Sequence, residues 1–327
     1  MRALSLRSFL SLCLFLVFSV QLKAQHASRI YVEKTGYSIG LNFGLADMFG
    51  DVGTASWVEH YTNSKYFDKV TFMGGLFGRY TIHPSMSFKF GLNYGSIYAT
   101  DEWNYDLARK VKNQGADPYQ RYARAQRAKA NILEGSILFE VSPFRINPEK
   151  KLAERRGQPY FGIGVGYFHF GPSSTVALGT KFTKTFDLKI EGNGFNDTFP
   201  RSYSLWQPCI PTVIGYRWDI GEHFNIGVEY RYRITFCDYL DGVSGKFIDP
   251  REYAKHLSAS EANTARLIAD NSFYEREGIG KPLTQPMKPG DLRGNPENND
   301  NYSSFSLVFY YKLFVKDKRW WREFADK

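Results

Sequence analysis

The chain contains few residues of the types that build metal centres or membrane-spanning helices. It has three cysteines and six histidines in 327 residues, and no cysteine stands at metal-ligand spacing from a histidine. After the first 24 residues, no apolar run approaches the roughly 18 residues that a transmembrane helix requires. We therefore expect neither a helical membrane protein nor a cysteine-based metal site.

Catalytic motifs are also missing from the sequence. There is no Gly-x-Ser-x-Gly, no His-Glu-x-x-His and no phosphate-binding loop. His169 with Ser173 and Ser174 could belong to a lipid-modifying site, but His169 falls on an apolar face, as a membrane-interface residue does. We predict that the chain is not an enzyme and that it uses no cofactor, metal or small-molecule substrate.

The N-terminal residues have the features of a secretory signal peptide. Arg2 and Arg7 give a positive start, an apolar run follows, and Ala24 supplies the small residue of a cleavage site. We expect residues 1–24 to be removed and residues 25–34 to form a periplasmic segment; an uncleaved anchor helix is the alternative. With export, the net charge of +9 indicates acidic lipid or an acidic protein partner and not nucleic acid.

The segment Phe224–Phe236 alternates apolar and polar residues over its whole length. Strand side chains point to opposite faces in turn, so one face is apolar and the other carries Glu229, Arg231 and Arg233. A usual strand has about 5–6 residues, whereas a tilted strand that crosses a bilayer needs roughly 9–11. The pattern therefore predicts a transmembrane β-strand between lipid and a polar lumen.

The same alternation recurs along the chain. It occupies residues 37–45, 70–82, 88–94, 131–141, 160–170, 210–220, 224–236 and 305–313. Eight is an even number, as in bacterial single-chain barrels, and 17% aromatic residues suit the two aromatic girdles of such a barrel. We predict an all-β protein, an eight-stranded antiparallel transmembrane β-barrel over residues 35–315, in the outer membrane.

Short and long connections alternate between the predicted strands. The turns at 83–85 and 221–222 are short and belong on the periplasmic side, which places both termini there. The long extracellular loops then lie near residues 46–69, 99–129, 171–208 and 237–301, and residues 316–327 form a periplasmic tail. Helix-like stretches occur at 119–129 and 251–270, and residues 278–301 are expected to be irregular or mobile.

Charged residues stand on the lumen face of these strands. An eight-stranded barrel has an interior only wide enough for side chains, so we predict a salt-bridge network that plugs the lumen; a conducting pore or proton path is the alternative. Lumen-facing glycines in the fifth strand are expected to leave room for long arginine side chains. The charged residues are Arg79, Lys89, Glu134, Glu140, Arg217, Asp219, Glu229, Arg231, Arg233 and Lys312.

Cys209 and Cys237 remain after removal of the leader. If the turn between the sixth and seventh strands centres near residue 221, Cys209 faces roughly residue 233. It then lies about four residues out of register with Cys237, too far for a disulfide without a bulge or a loop that folds back. An intramolecular bond, free thiols and a bond to a partner all stay open.

The order of several segments resembles one family. Gly50-Asp51-Val52 is followed by NILEGSILFE, by PYFGIGVGYFHFGP and by the run GYRWDIGEHFNIGVEYRYRITFCDYLDGVSGKFIDP, of which Asp238–Ser244 is the most specific part. Together these segments resemble the PorG-like outer-membrane barrels of the type IX secretion system. The resemblance implies a non-enzymatic component of a protein-export machine, tied to a periplasmic ring built from a lipoprotein and its partner. A structural or adhesive barrel that presents loops outside is the alternative.

Two predicted periplasmic elements exceed what a barrel needs. The turn at 144–158 is basic, and the tail at 316–327 carries aromatic residues among charges. Aromatic anchors surrounded by charge are typical of interface hot spots, so we expect the ring proteins to bind here. Alternatively, the tryptophans lie in the inner aromatic girdle and the turn contacts acidic head groups. The candidate residues are Lys150, Lys151, Arg155, Arg156, Trp320, Trp321 and Phe324.

Overall fold

The computed structural model describes ten parts of the chain. They are residues 35–53, 60, 69–111, 113, 115–147, 152–153, 155–176, 179–220, 223–272 and 287–313. The predicted leader (1–24), the segment 25–34 and the tail 316–327 lie outside these residues. No helix in the described ranges is long and apolar enough to cross a membrane.

Strands form most of the described chain. They are β1 (Gly36–Phe49), β2 (Thr71–His83), β3 (Met86–Thr100), β4 (Arg127–Val141), β5 (Gly157–Thr175), β6 (Phe182–Lys184), β7 (Trp206–Ile220), β8 (Phe224–Thr235) and β9 (Asn301–Lys312). The helices are α1 (Tyr105–Lys110), α2 (Asp117–Arg124), α3 (Pro250–His256) and α4 (Ala259–Ala269), with 3-10 turns at Asp101–Asn104 and Pro143–Arg145.

Eight of these strands close into one antiparallel barrel. Their order is β4-β3-β2-β1-β9-β8-β7-β5, and pairing of β4 with β5 joins the two ends of the sheet. Each of the eight predicted segments corresponds to one barrel strand, so the predicted fold is confirmed. The short strand β6 pairs only with the end of β5, from Ser173 opposite Lys184 to Thr175 opposite Phe182.

The period-2 pattern separates two environments across the barrel wall. Outward residues are apolar and exposed, as at Leu76 (70%) and Val165 (65%), whereas inward residues are buried and mostly polar. Stacked aromatic pairs border this outer belt at both ends, Tyr37 with Tyr80 at one and Tyr167 with Trp206 at the other. An apolar belt between aromatic girdles is the surface of an outer-membrane-type barrel, so the wall spans a membrane.

A proline interrupts one seam of the barrel. The pairs between β5 and β7 run from Gly157 opposite Trp218 to His169 opposite Trp206, but within this described stretch none forms at Gly164 and Val165. Pro211 lies opposite this gap and has no backbone N–H to donate, which accounts for the missing rung. The register is the same on both sides of the gap, so the barrel remains closed.

The long loops all lie at one end of the barrel, which we call the cap, and the short connections lie at the other, the turn end.

In the cap, the predicted helix at 119–129 is wrong in its second half. Helix α2 ends where Ala125 takes a left-handed conformation (φ 58°), and Arg127 already starts β4. The predicted helix at 251–270 is two helices, since Ser258 begins α4 with a capping box to Glu261.

The region predicted to be irregular or mobile is only partly described. Residues 287–300 contain turns and no helix or regular strand, as expected. They are nevertheless fixed to the cap, because Arg293 and Asp300 are buried and Lys246 bridges to Leu292. Residues 278–286 lie outside the described chain.

Candidate functional site

The predicted lumen charges meet inside the barrel. All ten of these residues are at most 9% exposed, and Glu229 is at the centre of their network. Its carboxylate accepts hydrogen bonds from Lys89 Nζ (2.6 Å), Arg231 Nη2 (2.6 Å) and the Tyr160 hydroxyl (2.9 Å). Three strands are therefore joined through one buried carboxylate.

The ion pair between Lys89 and Glu229 spans the barrel. Lys89 is on β3 and Glu229 is on β8, and three strands separate β3 from β8 in either direction around the sheet. The two side chains thus meet from opposite walls. Because the pair is buried and joined to further partners, it fills the section of the lumen through which a channel would have to pass.

Two more carboxylates organise the network on either side of this pair. Toward the cap, Glu134 pairs with Arg233 Nε (2.8 Å) and Arg231 Nη1 (3.5 Å) and accepts from the Tyr302 hydroxyl (3.0 Å). These three partners come from β8 and β9, and a fourth, Asn93 of β3, donates to Glu134 Oε1 at 3.3 Å. The three contacts therefore link β4 to strands on the far side of β5 and β7.

Toward the turn end, Glu140 is the second of these carboxylates. It pairs with Arg79 Nε (3.1 Å), Lys89 Nζ (3.6 Å) and Arg217 Nη1 (3.7 Å). Glu140 is on β4, and its partners come from β2, β3 and β7. The network therefore continues around the barrel wall below the central ion pair.

Asp219 closes the network at the turn end. It pairs with Lys312 Nζ (3.2 Å) and with Arg145 Nη2 (2.5 Å). Arg145 is 1% exposed and lies in the 3-10 turn after β4, not on a strand. The sequence pattern missed it because lumen positions were assigned from alternation within strands, and alternation assigns no direction to a turn residue.

Aromatic rings fill the remaining lumen space. Lys89 Nζ lies 4.4 Å from the centre of the Phe77 ring, and the Arg217 guanidinium lies 5.1 Å from the centre of the Tyr160 ring. At Gly215 a Cβ would collide with the Tyr160 ring. The atoms nearest to a Cβ placed on the lumen-facing β5 glycines include side-chain atoms of Glu140, Val213 and Cys209 and none of an arginine, so the expectation that these glycines leave room for arginines stays a prediction.

A hydrophobic layer separates the charged lumen from the cap. Buried residues of the strand ends pack there against residues of the cap loops. A second, smaller core lies within the cap itself, between helices α3 and α4 and the loop that follows β6. The first layer includes Met48, Ile97, Trp103, Phe168, Phe170, Cys237, Leu240, Val243 and Tyr302.

Two buried arginines connect the cap loops. The Arg124 guanidinium donates to both oxygens of Asp101 (2.8 and 2.9 Å) and to the carbonyl of Arg293 (2.5 Å). Arg293 Nη1 donates to Glu191 Oε1 and to the Gly242 carbonyl, both at 2.7 Å. These bonds hold α2, the loop before β7 and the loops on both sides of α3 and α4 in one folded unit.

Four buried aspartates lie beside these arginines. Three of them accept main-chain N–H groups: Asp241 from Val52 and Val243 (both 2.8 Å), Asp300 from Leu240 (2.8 Å), and Asp51 from Asn295 (2.6 Å). Burial, and then the charge of Asp51, raise the pKa of Asp241 to about 7. Burial and the charges of Asp241 and Asp238 raise the pKa of Asp300 well above its ordinary value.

The fourth aspartate, Asp238, is the least satisfied. Neither of its carboxylate oxygens accepts a hydrogen bond within the described residues. The pKa of Asp238 is raised to about 8, mainly by burial and also by the charges of Asp51, Asp241 and Glu191, while the nearby Ser244 side chain lowers it. Sequence analysis missed this group because its members are distant in the chain and lie in loops.

Similarity to known proteins is limited to the general shape. No protein-family model and no curated protein sequence matches the chain. Among solved structures, the chain is similar to the attachment invasion locus protein Ail of Yersinia pestis, at 8% identity and a TM-score of 0.35, covering 86% of this chain and 100% of that one. It is also similar to Neisserial surface protein A, at 9% identity and a TM-score of 0.35, covering 86% and 99%. A third is OprG of Pseudomonas aeruginosa, at 13% identity and a TM-score of 0.32, covering 88% and 100%.

The candidate docking residues are mostly beyond the structure. Lys150, Lys151, Trp320, Trp321 and Phe324 lie outside the described residues. Arg155 is exposed and Arg156 is half-buried in the turn before β5. Their carbonyls accept from Gln158 Nε2 (2.8 Å) and the Asp219 N–H (3.0 Å) respectively, which fixes this part of the turn against the barrel.

Both cysteines are free and buried. Cys209 lies opposite Thr235 and not residue 233, because the turn pairs Ile220 with Phe224 and so centres one residue later than expected. Cys209 is thus two residues out of register with Cys237, and both belong to the hydrophobic layer. In the described part of the chain, no group of three or more His, Cys, Asp or Glu side chains is placed to hold a metal ion.

His169 has the surroundings of a membrane-interface residue. Its ring lies 5.0 Å from that of Trp206 in an edge contact, and Trp206 stacks on Tyr167 at 5.7 Å. These three residues form part of the aromatic girdle at the cap end of the belt. An imidazole that packs on an indole at the outer surface is placed as residues at a membrane interface are.

Proposed function

We propose that this protein is a non-enzymatic component of a protein-export machine of the type IX kind in the outer membrane. We further propose that it binds a periplasmic ring made of a lipoprotein and its partner. The support is the resemblance to PorG-like barrels, whose most specific part is Asp238–Ser244. In this chain that segment lies in the cap, where Leu240, Asp241 and Val243 are at most 2% exposed. Such burial is consistent with a family motif that maintains structure.

The plugged lumen is the observation that carries the proposal. An exported protein cannot pass through a barrel in which Lys89 and Glu229 meet from opposite walls. A role in export must then be that of an anchor or an assembly factor. The wall fixes the protein in the membrane, and the protein acts through its two ends.

In this proposal the turn end faces the periplasm and the cap faces the outside, as short turns and long loops do in outer-membrane barrels. The turn end carries apolar residues that the barrel does not use. Phe144 and Ile146 are 37% and 58% exposed in the connection from β4 to β5, which also contains Arg155. Exposed apolar groups beside cations are suited to binding a protein surface.

A structural or adhesive barrel is the second candidate function, and the folded cap favours it. The cap has its own small core around Tyr253 and Ile268 and its own buried arginines. A rigid outer surface of this kind suits contact with a molecule outside the cell. In that case the turn end would have no protein partner.

Crosslinking in intact cells discriminates these two functions. We expect the ring lipoprotein and its partner to crosslink to the turn end and to co-purify with the barrel. Lys150→Glu with Lys151→Glu should release the ring proteins and stop export, while the barrel remains folded and inserted. Trp320→Ala with Trp321→Ala should do the same if the tail is the second contact.

The matched control reverses two charges at the other end of the barrel. Lys181 and Lys184 are exposed beside β6 in the cap, and Lys181→Glu with Lys184→Glu should leave co-purification and export unchanged. Normal secretion and normal recovery of the ring proteins in both turn-end double variants would show that docking does not use these elements. Recovery of no periplasmic protein with the parent chain would favour the adhesive barrel.

A further inference from the structure

The four buried aspartates of the cap come from three separate loops and lie in one buried region. We call Asp51, Asp238, Asp241 and Asp300 the aspartate cluster. They are between 1% and 9% exposed. Oδ2 of Asp241 and Oδ1 of Asp300 each lie 2.7 Å from one point, the position that a Cβ on Gly50 would take. The cluster therefore joins the ends of β1, β8 and β9.

The arginines of this region form their ion pairs with carboxylates outside the cluster. Arg124 pairs with Asp101, Arg293 with Glu191, and Arg121 with the exposed Asp117. In the described residues, no ion pair joins a cluster aspartate to a cation. The charged and titratable groups that surround the cluster are Asp101, Glu191, Arg121, Arg124, Arg293, Tyr203, Tyr239 and Cys237. The six carboxyl groups of this region exceed its three guanidinium groups by three.

Main-chain amides satisfy only part of the cluster. They donate to Asp51, Asp241 and Asp300. Asp238 is 91% buried and lies near the charges of Asp51 and Asp241; the Ser244 side chain is nearby, but neither oxygen of Asp238 accepts a hydrogen bond of normal geometry within the described residues. A carboxylate is costly to bury without donors or a cation, and proton uptake removes this cost. An unpaired acid among other acids is thus a place where a proton binds.

We propose that the aspartate cluster is a proton-binding site that holds the cap closed. Protonated carboxyl groups let the loops after β1, after β8 and before β9 pack together, and their ionisation separates these loops by repulsion. This inference concerns the cap alone and does not depend on the role in export.

The direction of the pH dependence follows from the pKa shifts. The pKa is raised to about 8 for Asp238 and to about 7 for Asp241, mainly by burial, against an ordinary value of 3.8. A group whose pKa is higher in the closed cap than in the open one favours the closed cap at low pH. The closed cap should therefore become less favoured as the pH rises toward about 7 to 8, and it should lose no further stability above pH 8, where it has already released both protons.

Labelling of the Cys237 thiol can measure how often the cap opens. Its thiol is free, the residue is 5% exposed, and its carbonyl accepts the Asp300 N–H (2.9 Å). The experiment uses the full chain with Cys209→Ser, reconstituted in lipid vesicles. The rate at which a maleimide labels Cys237 is measured from pH 5.5 to pH 9. Each rate is divided by that of the urea-unfolded protein at the same pH, which corrects for the thiolate fraction.

We expect the corrected rate to rise from pH 5.5 to about pH 8, by up to about tenfold per pH unit for each proton released on opening, and to level off above pH 8. Asp238→Asn keeps the shape of the side chain and removes its ionisation, so it should flatten the rise. Asp241→Asn serves the same purpose should Asp238→Asn fail to fold. Asp197→Asn, at an exposed position in the cap, is the matched control and should leave the profile unchanged.

Three results would overturn the proposal. The first is a corrected rate that does not change with pH in the parent protein. The second is a rise of the same slope in the folded aspartate-to-asparagine variants. The third is full protection of Cys237 from labelling at pH 8.5 when calcium is added, with the protection lost when a chelator is added. That result would make the cluster a cation site and not a proton site.

Discussion

The substitution Glu229→Gln tests whether the pair across the lumen holds the barrel together. Glutamine keeps the shape of the side chain and removes the charge that Lys89, Arg231 and Tyr160 share. Lys89 is 0% exposed and would retain only Glu140, at 3.6 Å. Removal of one partner from a buried ion pair costs about 3–5 kcal/mol. We expect a loss of that size in the free energy of unfolding.

The assay is urea-dependent unfolding in lipid vesicles, followed by circular dichroism and by the gel mobility of the unheated protein. Glu252→Gln is the matched control, because Glu252 pairs with Lys255, whose side chain is 62% exposed. An exposed pair contributes about 0–1 kcal/mol, so this variant should unfold like the parent. Combining Glu229→Gln with Lys89→Met should recover much of the loss, because it leaves no lysine without its partner. A loss below about 1 kcal/mol for Glu229→Gln would refute the view that the pair is desolvated and essential.

Three further predictions concern the plug, the lumen packing and the cap. In planar bilayers the reconstituted protein should show no steady ohmic conductance, and a large stable pore would contradict the plugged lumen. Gly215→Ala should lower the free energy of unfolding by about 1–3 kcal/mol because its Cβ displaces the Tyr160 ring. Gly78→Ala is the control and should leave the free energy of unfolding unchanged, because no atom lies within 4 Å of its Cβ. Equal losses of stability in the two variants would contradict this account. Arg124→Gln leaves Asp101 buried without its cation, so limited proteolysis should cut the cap faster while gel mobility still reports an intact barrel.

The barrel was predictable from sequence because alternation is a strong signal in long strands. A strand such as Phe224–Thr235 faces lipid on one side and charge on the other, so the period of two survives over its whole length. The same alternation correctly assigned all ten charged residues to the lumen face. Strand ends were less predictable, since β3 and β4 continue past the belt into the cap, and the last four residues of β3 are buried on both faces.

The cap was not predictable because it has no period. Asp51, Glu191 and Asp300 lie far apart in the chain, and only the folded loops bring them to the same buried region. Arg145 was missed for a related reason, because it enters the lumen from a turn. Local chemistry did indicate the helices α3 and α4, but the capping box at Ser258 that separates them was read as helix interior.

The meeting of Lys89 and Glu229 has a consequence for how the protein enters the membrane. The two residues are 140 positions apart in sequence and lie on opposite walls, so neither finds its partner until the last strands join. An open sheet in lipid would expose the charges of Lys89 and Glu229 to hydrocarbon without their contact across the lumen, and a charge in hydrocarbon costs several kcal/mol. Insertion must therefore proceed together with closure, and the interior has to stay hydrated or shielded by an assembly factor until β9 pairs with β1.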